Sequence, residues 1–344
     1  MAGYNTIRGL RVKYLSADPA NAENGQVWYN STTGNLRVDG ILVAGAFSSG
    51  ANITQNKGRA AGFGTKTAAL FSHGSVGGGS QPTDNQTYEY DGTSWTGGGN
   101  SNQPMRVLGR AGVQTSALAF GGALNPNNAS FPPSTSNKNE SYNGSAWTNE
   151  TAYPSSVAGG TGGFGLTEST AVGFGGGAPG GTLNTSNEYN GSAWTGGGTM
   201  NLASYAVGGA GSQTAGLKTG RYDPVGPGTN QLEEYNGTSW ATGTPSSESR
   251  NNNFATGGPQ TAAFSAGGKG PGSPSPDIAS AESYDGSSWT NMANLANAGE
   301  RGGSNSTDAF TSALVIGSSP YGTSAGPTEE FTGATIETKT VSVS

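Results

Sequence analysis

Few residues of this chain could carry out acid–base or metal chemistry. Among its 344 residues there is one histidine, His73, and there is no cysteine. A zinc site of the histidine and cysteine type needs several such ligands, so this chain cannot form one. A Ser-His-Asp triad would have to use His73, and no nucleophile motif accompanies it. We therefore expect a structural role or a loop contact for His73, and no metal or cofactor.

Carboxylates recur at one place in the sequence, just before a tyrosine or phenylalanine. They are Glu89, Glu140, Glu188, Glu234, Glu282 and Glu330. A pair of carboxylates could catalyse glycoside hydrolysis. A catalytic site, however, occurs once in a protein, whereas a residue that returns in every unit has a structural role. We interpret these glutamates as strand-edge or inter-unit partners and predict that the protein is not an enzyme.

The aromatic residue after each carboxylate opens a recurring hexapeptide. The first copy reads YDGTSW, and the copies span 90–95, 142–147, 189–194, 235–240, 284–289 and, in worn form, 331–336. Asn-Gly and Asp-Gly pairs accept positive φ and favour a tight turn between antiparallel strands. The flanking aromatic residues can pack across such a hairpin. These repeat anchors are Tyr90, Trp95, Tyr142, Trp147, Tyr189, Trp194, Tyr235, Trp240, Tyr284, Trp289 and Phe331.

Each repeat contains four predicted strands. A Gly-rich segment, opened in four units by Arg59, Arg106, Arg250 or Arg301, precedes an apolar run such as SALAFGG at 116–122. The strand before the turn and the strand after it complete the unit. Four-stranded sheets repeated every forty to fifty residues are the blades of a β-propeller.

These residues resemble the kelch propeller family over roughly 59–344. The resemblance implies an all-β fold, with a six-bladed kelch-like β-propeller at 46–344. The fourth unit departs from the pattern, because GLKTG at 216–220 replaces the apolar run and its Gly-Gly pair. We expect residues 335–344 to form the outer strand of the last blade. The alternative is ring closure by strand exchange, with 41–47 pairing there instead.

Residues 1–45 lie outside the array. Segments 26–30 and 35–38 flank a Gly-containing turn and predict a small N-terminal β-hairpin. This stretch resembles short N-terminal segments of tailed-phage virion proteins, especially fibre-like proteins. The resemblance implies attachment to other virion proteins, for which Trp28 and Tyr29 are the candidate residues. A hairpin of this size is not stable alone, so it must pack on the ring, on copies of itself or on another protein. A plain cap on the ring is the alternative.

The segments between the apolar strand and the tyrosine strand vary most, and they read as loops. In kelch-like rings these loops emerge on one face. A rigid scaffold that displays variable loops is a common plan for recognition, and tyrosine and arginine among small polar residues resemble a paratope. The candidate binding residues are Phe131, Arg221, Tyr222, Asp223, Lys269, Asp277 and Tyr321. Ordinary solvated loops are the alternative interpretation.

Composition excludes several classes of partner. The net charge is -6, and the 16 basic residues are scattered singly, so we expect no nucleic-acid binding. No apolar run approaches the roughly 20 residues that span a bilayer, so we expect no membrane insertion. The N-terminus carries no secretory signal pattern, which suits synthesis in a host cytoplasm and release by lysis. No coiled-coil heptad fixes a symmetry, and a homo-oligomer stays open.

Three functional hypotheses follow. The first is a non-enzymatic, fibre-like virion protein that docks through its N-terminus and presents a propeller to a host-surface glycan, receptor or outer-membrane component. The second is a capsid or tail decoration protein whose propeller is purely structural. The third, which we rank last, is a propeller-fold polysaccharide hydrolase or lyase.

Overall fold

The described part of the chain is almost entirely β-structure. The computed structural model describes residues 12–20, 26–76, 83–124, 136–154, 157, 159–178, 180–205, 208–221, 229–250, 255–272, 275–318 and 325–340. Within these ranges the helical segments are two single 3-10 turns, Gln260–Ala262 and Phe310–Ser312, and no helix is long and apolar enough to cross a membrane. The prediction of an all-β protein is therefore confirmed.

The chain forms two compact units, Met1–Gly45 with Gly333–Ser344, and Ala46–Thr332. The smaller unit holds one sheet with the strand order β1-β2-β3-β30. Its strands are β1 (Lys13–Leu15), β2 (Val27–Asn30), β3 (Asn35–Val43) and β30 (Thr335–Thr340). Strand β1 runs parallel to β2, and the other pairs are antiparallel. The predicted turn at 31–34 lies between β2 and β3.

In its described residues the larger unit holds six four-stranded antiparallel sheets, which we number 1 to 6. Sheet 1 contains β5 (Ala61–Thr65), β6 (Ala68–Ser72), β7 (Thr87–Tyr90) and β8 (Trp95–Gly97). Sheet 2 contains β9 (Gly109–Val113), β10 (Ser116–Phe120), β11 (Asn139–Tyr142) and β12 (Trp147–Asn149). Sheet 3 contains β13 (Gly162–Gly165), β14 (Ala171–Phe174), β17 (Ser186–Tyr189) and β18 (Trp194–Gly196). A short hairpin, β15 (Gly177–Ala178) and β16 (Gly181–Thr182), follows β14.

Sheets 4 to 6 repeat the same plan. Sheet 4 contains β19 (Gly208–Ser212), β20 (Ala215–Arg221), β21 (Thr229–Tyr235) and β22 (Trp240–Thr242). Sheet 5 contains β23 (Ala255–Gly257), β24 (Ala263–Ala266), β25 (Ala281–Tyr284) and β26 (Trp289–Asn291). Sheet 6 contains β27 (Gly303–Ser304), β28 (Leu314–Ile316), β29 (Thr328–Thr332) and β4 (Ala46–Ser49).

The first strands of the sheets are neighbours in chain order. Strand β5 lies beside β9, β9 beside β13, β13 beside β19, β19 beside β23, β23 beside β27, and β27 again beside β5. They approach so closely that a Cβ at Gly62 would lie 2.4 Å from the Ser304 carbonyl oxygen. A Cβ at Gly163 would lie 2.6 Å from the Arg110 backbone nitrogen. The Gly-rich first strands are thus required by close packing, and the arrangement is consistent with a β-propeller.

Sheet 6 takes its outer strand from the start of the larger unit. Strand β4 pairs with β29, with Phe47 opposite Phe331 and their rings 5.0 Å apart. Residues 335–340, which we expected at this edge, form β30 and pair with β3 instead. The sequence gives the physical reason, since the worn hexapeptide at 331–336 has no tryptophan and Phe47 supplies the missing aromatic partner.

The hexapeptide folds as its residues predict. In the first copy, Tyr90 and Trp95 are paired in register and their rings are 4.8 Å apart. The Asp91 carboxylate accepts hydrogen bonds from the Thr93 and Ser94 backbone nitrogens at 2.8 and 2.7 Å, which closes the four-residue connection. The corresponding Tyr–Trp ring distances in sheets 2 to 5 are 4.9 to 5.1 Å. Packing across the hairpin is therefore confirmed.

Candidate functional site

The loops between the second and third strands lie at the same end of the sheets as the connections between sheets. In sheet 1, Gly58 and Ser75 exchange backbone hydrogen bonds of 3.0 and 2.8 Å. Arg106 and Ala123 do the same in sheet 2, at 3.1 and 2.9 Å. Gly58 and Arg106 belong to connections between sheets, and Ser75 and Ala123 belong to loops between the second and third strands. These hydrogen bonds therefore place both kinds of segment at one end of the sheets, which we call the loop face.

The structure describes three of the predicted binding residues. Lys269 Nζ lies 2.8 Å from Asp277 Oδ1 and 3.9 Å from Glu300 Oε1, so this pair fastens the loop of sheet 5. Arg221 ends β20 and is half-buried. Phe131, Tyr222, Asp223 and Tyr321 lie outside the described residues.

A small open cavity, with about 80 Å³ of internal space, lies among the first strands. It is bordered by Arg59, Ala60, Val107 and Leu108, which precede β5 and β9, and by the glycines that open β13 and β27. These residues belong to the connections between sheets, so the cavity opens on the loop face. We call it the axial cavity, because every one of the six first strands surrounds the same centre.

Arg110 reaches across the axial cavity from β9. Its guanidinium donates hydrogen bonds to the carbonyl oxygens of Gly62, Thr256 and Ser304, and to the Ser304 hydroxyl at 3.1 Å. These acceptors belong to β5, β23 and β27. All of them are uncharged, and burial alone lowers the pKa of Arg110 to about 10. One side chain thus ties four sheets together at the centre of the ring.

Sequence reasoning missed Arg110, although a signal was present. The first strands of sheets 3 and 4 place Gly163 and Gly209 among the residues around the cavity. Sheet 1 also has a glycine, Gly62, at the corresponding strand position. Sheet 2 has Arg110 at the corresponding place, within the strand GRAGV. An arginine that interrupts a glycine repeat once is the kind of residue that a single site uses.

Four of the six recurring glutamates join neighbouring sheets, as predicted. Glu89 and Glu188 each accept a hydrogen bond at 2.5 Å, from the hydroxyls of Tyr142 and Tyr235 respectively. Glu234 accepts one from Tyr284 at 2.9 Å, and Glu330 accepts one from Tyr90. In each case the tyrosine belongs to the next sheet. The inter-unit interpretation is confirmed for this group.

The other two, Glu140 and Glu282, stand two positions before the tyrosine and face the opposite side of the strand, because side chains alternate along it. Glu282 pairs with Arg250 at 3.1 Å and accepts the Ser247 backbone N–H at 2.8 Å. Sequence reasoning missed two further members of this group, Glu233 and Glu329. They pair with Lys218 at 2.8 Å and Arg301 at 3.5 Å. These buried pairs fix the connections between sheets.

Glu140 has a histidine where the others have a cation. His73 Nε2 lies 4.0 Å from Glu140 Oε2, and both side chains are fully buried. The His73 ring contacts Trp147 edge-on at 5.0 Å, and its Nδ1 is 2.8 Å from the Ser72 hydroxyl. Burial, and then the charge of Lys57, lowers the pKa of His73 to about 3. His73 is thus a neutral core residue, in the structural role we expected.

The smaller unit separates the two candidate attachment residues. Trp28 is completely buried, and its indole N–H donates to Asp18 Oδ1 at 2.9 Å. Asp18 also accepts from Asn30 at 2.8 Å and lies 3.5 Å from Arg37. Tyr29 is half-buried and packs at 4.7 Å against Tyr14, which is 75% exposed. Trp28 therefore holds the unit together, whereas Tyr14 and Tyr29 form its aromatic surface.

Comparison with solved structures shows a likeness of fold. No protein-family model matches the chain, and no curated protein matches it. Its structure is similar to that of YjhT, with a TM-score of 0.63 over 83% of this chain and 98% of that chain, at 14% sequence identity. At this identity the likeness concerns the fold alone.

Proposed function

We propose that this protein is a non-enzymatic, fibre-like structural protein of a tailed-phage virion. In this proposal its N-terminal unit docks on other virion proteins, and the six sheets are the blades of a kelch-like propeller that faces a host-surface glycan or receptor. The observation that carries the proposal is the separation of the chain into two compact units, one small and one with a loop-bearing face. The resemblance of the N-terminal segment to phage fibre-like proteins is our reason for assigning the protein to a tailed-phage virion.

The state of the recurring carboxylates supports a non-enzymatic role. Glu89, Glu188, Glu234 and Glu330 are occupied by tyrosine hydroxyls of the neighbouring sheet. Their counterparts on the other strand face are engaged by backbone N–H groups or basic side chains. A carboxylate held this way contributes to the stability of the ring.

The aromatic surface of the smaller unit is the proposed docking contact. Tyr14 and Tyr29 lie opposite each other in register on β1 and β2, and Leu36 continues the row on β3. Aromatic side chains are enriched at protein–protein interfaces because they bury a large area with little loss of rotamer freedom. We assign this contact to another virion protein.

Two measurements test the proposal separately. Particles assembled with a Tyr14→Ser, Tyr29→Ser double variant should carry much less of the protein than wild type, while the variant chain keeps its circular dichroism spectrum. Purified full-length chain should bind host cells, and soluble surface polysaccharide should compete. Incorporation without any host binding would favour the decoration protein. Wild-type incorporation of the double variant would contradict the docking assignment.

A further inference from the structure

The turns between the first and second strands carry a repeated hydrogen bond between sheets. In sheets 2, 4 and 5 a glutamine stands three positions before the residue that pairs with the anchor tyrosine. Gln114 Nε2 lies 3.0 Å from the carbonyl oxygens of both Ala69 and Tyr90, which belong to the preceding sheet. The equivalent distances for Gln213 and Gln260 are 2.7 to 3.4 Å. The glutamine amide thus donates to two backbone carbonyl groups across each of these seams.

Sheets 1 and 6 show what else this position accepts. Sheet 1 has Lys66, which is also a donor, and its Nζ lies 3.3 Å from the Phe331 carbonyl oxygen of the preceding sheet. Sheet 6 has Phe310, which can neither donate nor accept. None of these five side chains brings a negative charge to the neighbouring carbonyl groups.

Sheet 3 has a glutamate at this position. Glu168 stands three positions before the residue that pairs with the anchor tyrosine of its sheet. A Cβ at the turn glycine Gly191 would lie 3.0 Å from Ser169, the residue after Glu168. In sheet 2 a Cβ at Gly144 would lie 3.2 Å from Thr115, the residue after the glutamine. Glu168 is therefore the structural counterpart of that glutamine.

The glutamate reverses the chemistry of the position, because an ionised carboxylate accepts hydrogen bonds and donates none. The carbonyl groups that correspond to the acceptors in the other seams are those of Ala117 and Tyr142 in sheet 2. The Glu168 backbone N–H donates to the Ser116 hydroxyl at 3.4 Å, and Ser116 is the neighbour of Ala117. The repeat thus sets a carboxylate beside two carbonyl oxygens, where the other seams have a donor or an apolar ring.

The Glu168 carboxylate itself provides a second, independent observation. Its Oε2 atom is buried and has no hydrogen-bond partner among the described residues, although the residue as a whole is half-buried. A buried carboxylate oxygen without a partner is unfavourable. A cation would satisfy this oxygen and the two carbonyl oxygens together.

The seam between sheets 2 and 3 is also weak in its other conserved bond. The Tyr189 hydroxyl donates to Glu150 at 3.4 Å, whereas the Tyr142 hydroxyl donates to Glu89 at 2.5 Å in the seam before it. A ligand that joins the two sheets would therefore strengthen the ring at this seam.

We propose that Glu168 and the carbonyl groups of Ala117 and Tyr142 bind a calcium ion between sheets 2 and 3. Ca²⁺ takes about six to eight oxygen ligands from carboxylates, backbone carbonyl groups and water in a flexible geometry, whereas Mg²⁺ demands a near-ideal octahedron. Because the ligands come from separate segments, no contiguous calcium-binding motif marks the site in the sequence. The inference goes beyond the proposed virion role and does not depend on it.

Thermal unfolding of the full-length chain, in EDTA and in excess Ca²⁺, is the first test. A single carboxylate implies weak binding, with a dissociation constant on the order of 1 mM, so about 10 mM Ca²⁺ should raise the unfolding midpoint by about 3 °C. Mg²⁺ at the same concentration should raise the midpoint less. No rise with Ca²⁺, or an equal rise with Mg²⁺, would overturn the assignment.

Glu168→Gln identifies the residue, because it supplies the amide that sheets 2, 4 and 5 carry. In EDTA this variant should unfold at a higher temperature than wild type, and Ca²⁺ should not raise its midpoint further. Asp285→Asn removes one negative charge from an exposed turn of sheet 5 and is the matched control, which should keep the wild-type response. A Ca²⁺ response in Glu168→Gln equal to that of wild type would contradict the proposal.

Gln114→Glu transfers the arrangement to the seam between sheets 1 and 2. This variant should unfold at a lower temperature than wild type in EDTA, and Ca²⁺ should recover part of the loss. In calorimetric titration the number of bound ions should rise from about one per chain in wild type to about two, and no binding should remain in Glu168→Gln. An unchanged number of ions in both variants would show that calcium binds elsewhere.

A proton on Glu168 is the competing explanation. It would make wild type less stable than Glu168→Gln at about pH 8 and equally stable at about pH 5, whether or not Ca²⁺ is present. That pattern would overturn the calcium site. Under the proposal, excess Ca²⁺ narrows the difference between wild type and Glu168→Gln at about pH 8, where carboxylates are ionised.

Discussion

The Tyr142 hydroxyl of sheet 2 donates a hydrogen bond to Glu89 Oε1 of sheet 1 at 2.5 Å. The glutamate immediately precedes the tyrosine that anchors its own sheet, so each sheet that follows this pattern accepts from the next and donates to the one before. Sheet 2 has Ser141 in place of the glutamate, and Tyr189 of sheet 3 donates to Glu150 instead, at 3.4 Å. Between sheets 5 and 6, both partners change together. Sheet 5 has Ser283 in place of the glutamate, and sheet 6 has Phe331 in place of the tyrosine. The bond is thus a property of neighbouring repeats, not of single sheets.

Removing this hydroxyl should destabilise the larger unit. Burial, and then the bond to Glu89, raises the pKa of Tyr142 to about 12, so the hydroxyl stays protonated and donating at neutral pH. We expect Tyr142→Phe to lower the free energy of unfolding by about 1.5 kcal/mol, the value for a hydrogen bond to a charged group. Urea denaturation measures it. Tyr14→Phe, in the smaller unit, is the control, and equal midpoints for both variants would contradict the prediction.

The sequence predicts this part of the fold because the repeat displays it directly. Tyr90 and Trp95 flank an Asp-Gly turn, and the structure pairs their rings across it. The two roles of the glutamates could also have been predicted from their positions in the sequence. Glu89 stands one position before its tyrosine and Glu140 two, so the alternation of a strand places them on opposite faces. Treating them as one group lost that distinction, and with it the buried partners Glu233 and Glu329.

Other features depend on contacts between distant parts of the chain. Strand β4 completes sheet 6, and β30 joins β3, although either segment has a strand pattern that suits both edges. The strand propensity of the two segments does not decide which of them pairs with β29. The contact between the Phe47 and Phe331 rings does, because β4 supplies Phe47. The axial cavity is a similar case. Arg110 is one basic residue in a glycine-rich strand, and only closure of the ring brings it to the carbonyl groups of three other sheets.

Breaking a buried ion pair should cost more than breaking an exposed one. Arg250 and Glu282 are 2% and 1% exposed, respectively, and lie 3.1 Å apart. Arg250→Leu leaves a buried carboxylate without its cation and should destabilise the protein by about 3–5 kcal/mol. Adding Glu282→Gln should recover part of that loss. Lys269→Leu breaks the exposed pair with Asp277 and should cost about 0–1 kcal/mol. Thermal unfolding compares the three, and equal losses for the two single variants would contradict the argument.

Glu140 should make the protein less stable as pH rises from about 4.5 to 7. Burial raises the pKa of this carboxyl from 4.5 to about 7, against the lowering effect of the hydrogen bond from Asn102. The folded state therefore holds the proton more tightly than the unfolded state. The stability from this proton is complete below pH 4.5, falls through the window, and is gone above pH 7. At about 1.36 kcal/mol per unit, the total is roughly 3 kcal/mol.

The measurement is urea denaturation of wild type and Glu140→Gln between pH 4.5 and 8. The glutamine cannot ionise, so the difference in unfolding free energy between the two proteins should move in favour of the variant as pH rises. Asp285→Asn is the control, because hydrogen bonds from Ser288 and Ser287 lower the pKa of Asp285 well below this window. A difference between wild type and Glu140→Gln that stays constant with pH would show that Glu140 does not titrate there.

The ring should open first where β4 meets β29. The pair of Phe47 and Phe331 replaces a Tyr–Trp pair, and Phe47 reaches its position from the opposite end of the larger unit. Phe47→Ala removes a half-buried ring and should destabilise the larger unit by roughly 2 kcal/mol, below the range of about 3–5 for a fully buried phenylalanine. Amide hydrogen exchange should then be faster in β29 than in β25, its counterpart in sheet 5. Tyr14→Ala removes an exposed ring from the smaller unit and should leave exchange in β29 unchanged. Faster exchange spread evenly over all six sheets would mean that β4 is not the point at which the ring is closed, because loss of a closing strand exposes its immediate partner before any other.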